Sequence, residues 1–389
     1  MICVIGDYIV DRYVYGTMSR MSSESPIPIF LEDATKEEIK EGGAANVRAN
    51  LGAFGTRKIR YYGSLRNSCK TRFVVDNRIV FRCDNEVYIP YSHLDFDLEG
   101  VTHCIISDYN KGMIHEPEAI IKLCKEHGCK IIVDPKKPLQ RYAGADIVKL
   151  NKKEFDEYCH GMTPTEVREK YEIGALIVTL GPDGVAVYSD EYTGNISSDS
   201  HQIHDVTGAG DVFIAAMTHY LERGEDLYNS CRKANILAGI SVTKFGTYVL
   251  RPVDIAQART VFTNGCFDIL HKGHIDYLRE SKKLGAKLIV GLNSDASVAR
   301  LKGESRPINN QEDRKAVLLA LDCVDEVVIF EEDTPYELIK SLKPDVITKG
   351  GDYAVSDVAG NDLAEVVIIP FTVGYSTTKI LEKCDEVHR

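Results

Sequence analysis

Hydrophobic residues along this chain come in short, dense runs separated by longer amphipathic stretches. The runs CVIG (3–6), HCIISD (103–108), KIIVD (130–134), DIVKLN (146–151) and ALIVTLG (175–181) show no polar–apolar alternation, which is the mark of parallel strands covered on both faces. Between them, PEAIIKLCKEHG (117–128) carries its apolar positions at helical spacing and closes on Gly128. This alternation predicts an α/β unit built on a central parallel sheet. Two segments break the rhythm. SPIPIFLED (25–33) and TRFVVDNRIVFRCD (71–84) read as exposed or paired strands, the second turning at Asp76-Asn77, and are expected to form a lid or an edge sheet.

The pattern restarts near residue 260. TVFTNG is expected as a strand, GHIDYLRESKKLGA as a helix and KLIVGLNSD as a strand, followed by the helix RKAVLLALDCV and the strands EVVIF and DVITKG. A new strand-loop-helix-strand series after GTYVLRPVDIAQART (246–260), with Pro252 inside it, marks a boundary. The expected domains are 1–252 and 253–389, in line with a length of 389 residues, which exceeds one ordinary core. The halves do not resemble each other, so no internal repeat is present.

Charge and composition narrow the partners. An apolar fraction of 44% with 27% charged residues belongs to a globular chain, and a net charge of −11 argues against nucleic acid or an anionic membrane. Any anion must then be held by local donors. Eleven cysteines without C-x-x-C spacing give no zinc-finger or dithiol signature, and free thiols in a reducing cytoplasm are expected. The opening MICVIGDYIV is too short to span a bilayer and reads as a buried first strand.

The sharpest chemistry in the first half is HDVTGAGDVFIAAMTHYLERG (204–224). A Thr-Gly-Ala-Gly turn runs into an amphipathic helix, so the amides of Gly208, Ala209 and Gly210 converge where the helix dipole favours an anion. Asp211, in the first turn, is placed to accept a hydroxyl proton while those amides neutralise a transferring phosphoryl group. A glycine-rich turn followed by a capping aspartate is the plain structural alternative.

Five motifs in order decide between them. DVTGAGD resembles the C-terminal signature of the ribokinase-like (PfkB) sugar kinases, whose last Asp is the catalytic base. GDYIVDRY (6–13) resembles their sugar-binding strand, which puts Asp7 and Asp11 on substrate hydroxyls. EGGAANVRANLGAFG (41–55) resembles their glycine pair and helix, which puts Gly42, Gly43 and Asn46 against the sugar. KLNKKE (149–154) is similar to the N-x-x-E element, so Asn151 and Glu154 would act on the Mg²⁺–nucleotide. VTLGPDG (178–184) is similar to the phosphate loop, with Thr179 and Gly181. The stretches SDYNKGMI and VDPKKPLQRYAGADIVKLNKKEF look closest to heptose 7-phosphate kinases. For that substrate's remote phosphate, Arg12, Asn110, Lys111 and Lys136 are candidates. The family carries another strand-helix stretch after YYGSL, and here RNSCKTRFVVDN follows almost at once, so the expected lid domain is shortened.

In the second half, TNGCFDILHKGHIDYL (263–278) sets His271 and His274 around a glycine at a strand-to-helix turn. Two metal ligands on one helix face would want a third, and a packing histidine does not explain the pair. A helix start favours phosphate, where imidazole N–H groups would steady charge on a leaving pyrophosphate. The H-x-G-H motif resembles the cytidylyltransferase-type nucleotidylyltransferases, a Rossmann-like fold. The resemblance implies nucleotide contacts from Thr263, Gly265, Phe267 and Gly273, and from Lys302, Arg306 and Arg314 of RLKGESRPINNQEDR. It implies further contacts from Lys349 of TKGGDY, and from Ser376, Thr377 and Thr378 of GYSTTKI.

Together the order of motifs resembles the bifunctional heptose kinase/adenylyltransferases. The resemblance implies an α/β chain made of a ribokinase-like three-layer domain with a β lid, then the nucleotidylyltransferase domain. It also implies ATP as substrate in both halves with Mg²⁺ on its phosphates, and a homodimer through lid strands 25–33 and 71–84. Three other readings stay open: an inactive kinase half leaving a monofunctional nucleotidylyltransferase, a different sugar phosphate, and a non-catalytic scaffold. Retention of Asp211, His271, His274 and Lys302 together argues against the last.

Overall fold

The structure is a computed structural model that describes residues 1–56, 58–64, 68–93, 95–198, 203–351 and 353–370. The chain falls into two compact units, Met1–Asp254 and Ile255–Arg389.

The first unit begins with β1 (Ile2–Gly6), β2 (Tyr8–Met21), β3 (Pro28–Gly43), α1 (Ala44–Ala53), β4 (Ile59–Gly63), β5 (Ser68–Val75), β6 (Arg78–Asn85) and β7 (His103–Ser107). It continues with α2 (Pro117–Glu126), β8 (Lys130–Asp134), β9 (Ile147–Asn151), α3 (Lys152–Cys159), α4 (Pro164–Tyr171) and β10 (Ala175–Thr179). Then come β11 (Val185–Tyr188), β12 (Thr193–Ile196), α5 (Ala209–Glu222), α6 (Leu227–Ser241) and the short α7 (Pro252–Ala256), which straddles the division. The dense apolar runs do form one sheet, in the order β12-β11-β10-β9-β8-β7-β1-β4. It is parallel from β10 to β4 and closes with two antiparallel strands. Burial of Val4, Ile105, Ile132, Val148 and Ile177 explains why those runs lack alternation. Helix α5 is buried continuously from Asp211 to Leu221, so the element that carries the glycine turn lies in the interior.

The interrupting segments form a separate four-stranded sheet, β3-β2-β5-β6. Its second hairpin turns at Asp76 and Asn77, both at positive φ (48° and 59°), as the sequence predicts. Strands β2 and β3 extend much further toward each other than SPIPIFLED suggests, and β6 is exposed along its whole length. Strand β4 is the edge of the large sheet, and residues 64–67 connect it to lid strand β5. Asp97 lies against that edge, its N–H on the Tyr62 hydroxyl (2.9 Å) and its carbonyl on Arg60 Nη1 (2.8 Å).

The second unit contains β13 (Thr260–Gly265), α8 (Lys272–Lys282), β14 (Lys287–Asn293), α9 (Asp295–Lys302), α10 (Gln311–Leu319), β15 (Glu326–Phe330), α11 (Tyr336–Leu342), β16 (Val346–Gly350) and β17 (Glu365–Ile369). All five strands are parallel, in the order β15-β14-β13-β16-β17. The order of strands reverses between β13 and β16, which makes their carboxyl ends the switch point where such sheets take ligands. The sequence reading lacks α9, α11 and β17, whose apolar positions are too few or too short to register.

Candidate active sites in the two units

In the first unit the glycine turn delivers what its spacing promised. Gly208 caps α5 in the left-handed region (φ 77°), and Asp211 follows in the first turn, 3% exposed. Its carboxylate takes one donor on each oxygen: the Tyr109 hydroxyl on Oδ1 (2.6 Å) and the Asn46 amide on Oδ2 (3.0 Å). Burial pushes the Asp211 carboxyl up to about 6; Tyr109 and Asn46 hold it down, Asp134 raises it and Lys149 lowers it. A carboxylate so placed is ionised at neutral pH yet close enough to neutrality to take a proton.

Beside it opens a cavity of about 490 Å³. Asn151, Thr179, Gly181, Ala209 and Gly210, all expected on the nucleotide, line it together. Ile203, Val206, Phe213 and Val242 supply an apolar wall suited to a flat base. Lys149 also faces the cavity, its ammonium on Asp134 Oδ2 at 3.0 Å. A Cβ on Gly210 would sit 2.7 Å from that ammonium, so the glycine lets the cation reach the helix start. Sequence reasoning missed Lys149, Asp134 and Tyr109. The only signal for the first two was that each closes or precedes the close of an apolar strand run.

Other expected residues serve the fold. Asp7 is fully buried, and both carboxylate oxygens accept backbone N–H groups, from Tyr109 (2.9 Å) and Lys111 (3.0 Å) on Oδ2 and Met113 (2.9 Å) on Oδ1. In place of sugar hydroxyls it holds the loop that carries Tyr109. Burial raises its carboxyl despite those three amides. Asp11 pairs with Arg72 (2.5 Å) and accepts from Thr247 (2.7 Å). Gly42 gives it room, since a Cβ there would lie 2.3 Å from Asp11 Oδ2, and Gly43 takes φ 61° at the start of α1. Asn151 and Glu154 form a reciprocal capping box on α3, and Glu154 also pairs with Lys136. With both oxygens engaged, and no group of three or more His, Cys, Asp or Glu able to hold a metal among the described residues, the donor set does not fit a resident ion.

Three of the cations expected for a remote phosphate are already paired: Arg12 with Glu37, Lys111 with Glu86 (2.7 Å) and Lys136 with Glu154. Asn110 takes the left-handed φ of 55° that closes the Tyr109 loop, its N–H on Asp108 Oδ1. Lys70 of the lid, not anticipated, stands 5.5 Å from the Tyr109 ring centre, and burial lowers its ammonium below the ordinary lysine value.

In the second unit His271 caps α8, its Nδ1 accepting the His274 N–H (3.3 Å). The two rings stack face to face, centres 3.8 Å apart and 12° from parallel. Burial, then His271 and Lys302, push His274 down to about 4, and burial lowers His271 as well, so both imidazoles are neutral at pH 7. Gly273 lies between them in the first turn of α8, and Lys302, at the end of α9, is near enough for its charge to be felt at His274. Lys349, at the end of β16, bonds Asn264 (3.0 Å) and faces the Tyr353 ring, its ammonium lowered by burial.

Several expected nucleotide ligands are instead internal fasteners. Arg314 is 2% exposed and donates to the carbonyls of Cys266 (2.6 Å), Asn293 (2.9 Å) and Asn309 (3.0 Å) and to Asp295 (2.6 Å). Four of its five N–H donors are thus spent inside the unit, tying the segments around Cys266, Asn293–Asp295 and Asn309 to α10. Arg306 pairs with Asp268 (2.5 Å), which also accepts the N–H groups of Ile308 and Asn309. Burial would raise Asp268, but those amides and Arg306 keep it below the usual carboxylate range. Thr263 is fully buried, its hydroxyl shared with Tyr277 (2.6 Å). Phe267 is a core residue, its ring edge-on to His274, and Gly265 packs on that ring. Ser376, Thr377 and Thr378 lie outside the described residues.

Comparisons with known proteins fit both halves. Residues 117–253 match the family model for pfkB family carbohydrate kinases and residues 262–383 the cytidylyltransferase-like model. The chain is 37% identical to the bifunctional protein HldE of Helicobacter pylori, covering all of this chain and 99% of that one. It is 36% identical to the bifunctional protein HldE of a Nitratiruptor species, covering 98% of each. The Helicobacter alignment runs to 460 positions and takes in all 389 residues here, so about 71 positions stand opposite gaps. Among solved structures, phosphofructokinase-2 of Escherichia coli in complex with potassium (TM-score 0.50, 16% identity) and a ribokinase of Thermotoga maritima (TM-score 0.50, 17% identity) share the fold. They cover 66% and 65% of this chain, and 96% and 97% of their own.

Proposed function

This chain belongs to the bifunctional HldE proteins, and from that premise we propose that it makes an ADP-activated heptose in two ATP-dependent steps, one in each unit, which divide near Pro252. In the first, Asp211 takes the proton from O1 of D-glycero-β-D-manno-heptose 7-phosphate as that oxygen attacks the γ-phosphorus of ATP. The amides of Gly208, Ala209 and Gly210 and the Lys149 ammonium offset the charge on the moving phosphoryl group. ATP enters as its Mg²⁺ complex, its base against Phe213 and Val242. The distal phosphate of the sugar faces Lys70. The product is the 1,7-bisphosphate and ADP.

In the second step, a phosphate oxygen of heptose 1-phosphate attacks the α-phosphorus of ATP directly. Neutral His271 and His274 donate N–H groups, and with Lys302 and Lys349 they steady the pyrophosphate that leaves. No covalent intermediate is needed. The 7-phosphate must be hydrolysed between the steps by a phosphomonoesterase, since the first product carries two phosphates and the second substrate one. The ADP-heptose so made supplies heptose for lipopolysaccharide.

The observation that carries the reading is the Asp211 carboxylate, ionised and held at a helix start beside a 490 Å³ cavity. It supports phosphoryl transfer to a hydroxyl, and it speaks against an inactive kinase half. Mass spectrometry of products from heptose 7-phosphate and heptose 1-phosphate, supplied with ATP, CTP and GTP together, tests both substrates and base. The bisphosphate and ADP-heptose are expected; a CDP- or GDP-sugar, or no bisphosphate, would sink the corresponding half.

Two coarser findings frame the setting. Among the described residues no helix is long and apolar enough to cross a membrane, and ten cysteines are free thiols, which supports work in a reducing cytoplasm. Strand β6 leaves a sheet edge open, with Ile79, Val80 and Phe81 exposed. An edge of that kind is covered in a working protein, and a second copy of the same lid supports a homodimer.

A further inference from the structure

Tyr109 stands in SDYNKGMI, outside the five motifs to which a role is attached, yet it makes the shorter of the two side-chain contacts to the base. Its hydroxyl lies 2.6 Å from Asp211 Oδ1, while Asn46 occupies Oδ2. We propose that Tyr109 is a positioning residue that fixes the Asp211 carboxylate by a hydroxyl hydrogen bond, leaving one face of the carboxylate to the sugar hydroxyl. This rests on the kinase reading above.

The loop that presents Tyr109 is held from two sides. Asp7 accepts the N–H groups of Tyr109, Lys111 and Met113. The segment after lid strand β6 adds bonds from Ile89 N–H to the Lys111 carbonyl (3.2 Å) and from Tyr91 N–H to the Gly112 carbonyl (2.9 Å). The ring is further flanked by the ammonium groups of Lys70 and Lys136, 5.5 and 5.9 Å from its centre. These bonds fix the backbone from which the Tyr109 side chain reaches Asp211. Burial, then the charge of Asp211, push its phenol well above the ordinary value, so it stays protonated and acts as donor and not as base. The sugar proton passes to Asp211, and the phenol keeps its own.

Without that donor the buried carboxylate would be less tolerated in its charged form. The groups that set its charge are Asn46 on α1, Asp134 ending β8, Lys149 on β9 and Tyr109 itself. Lys136 also feels the charge of Asp211 directly, whereas Lys70 and Asp11 act at one remove, through the tyrosine. Among the described residues, Tyr109 and Asn46 alone bond the oxygens through their side chains.

The test is Tyr109→Phe in the full chain, with ATP and heptose 7-phosphate, compared with the unaltered protein so that titration of the substrate phosphate is common to both. The acid limb of kinase kcat/KM should move up by about one pH unit, because a hydrogen bond to a charged group is worth roughly one to two such units. Activity should recover above that limb, with adenylyl transfer unchanged. A limb that stays in place, whether or not the rate falls, overturns the proposal. Incorporation of 3-fluorotyrosine at 109, a stronger donor of nearly the same shape, should move the limb the other way and covers the case in which Phe disturbs the fold. A ¹³C NMR titration of the Asp211 carboxyl in both proteins reads the same shift without turnover. If the unaltered protein turned over no heptose phosphate yet the carboxyl moved, the substrate reading would fail and the role of Tyr109 would stand.

Discussion

Asp211 is the residue where burial and charge meet most sharply. Its carboxyl is raised to about 6, so it is ionised, and able to serve as base, only above that value. Kinase activity should therefore fall as pH drops through about 6, while adenylyl transfer, whose His274 titrates near 4, should persist. A pH–rate profile of each activity on one protein sample checks this; two profiles falling together at pH 6 would contradict it. Arg314 makes a complementary case, because its type suggested a triphosphate contact and its burial shows a clamp. Arg314→Leu would leave three carbonyls and Asp295 without their donor, at a cost of about 3 kcal/mol or more. Urea unfolding of the second unit should show that loss, whereas a nucleotide role would raise the KM for ATP with stability unchanged. Asp7 and Thr263, whose side chains bond within the chain, show the same limit: a motif fixes which residue stands at a position, but not where its polar atoms find their partners.

At the scale of elements, the proposed reactions place both sites at helix starts, α5 for the γ-phosphate and α8 for the α- and β-phosphates. Each begins where an anion is welcome. The glycine before Asp211 is tested by Gly210→Ala. The added Cβ would meet Lys149 Nζ at 2.7 Å, so the ammonium must leave the helix start. At least a tenfold rise in KM for ATP in the kinase step is expected, by analogy with loss of one charged hydrogen bond of about 1.5 kcal/mol or more; adenylyl transfer should be untouched. These strand–turn–helix units were legible in the sequence because dense apolar runs and glycine turns have few other meanings. The central strands at 103–107, 130–134, 147–151 and 175–179 fall where the runs predict. Less legible were β2 and β3, whose solvent-facing halves carry Glu, Lys and Arg and so lack an apolar signature. Strand β17 was missed because its apolar run, EVVII, follows directly on polar turns with no helix signal to frame it.

At the scale of the molecule, the chain keeps both chemistries while standing opposite gaps at about 71 positions of its Helicobacter relative. In the kinase unit, β4 is a sheet edge and the lid is joined to it by residues 64–67. The lid strands remain, and with them an open edge at β6. Phe81, 62% exposed there, should be covered in a homodimer, so Phe81→Asp should yield monomers in light scattering; an unchanged mass would place the interface elsewhere. The central claim is that two independent polyphosphate sites on one chain perform two different transfers. It is tested most directly by assaying both reactions in Asp211→Asn and His274→Ala. The account predicts that Asp211→Asn forms ADP-heptose from heptose 1-phosphate but no bisphosphate, and that His274→Ala forms the bisphosphate but no ADP-heptose. Loss of both activities in either variant, with the protein still folded, would contradict it.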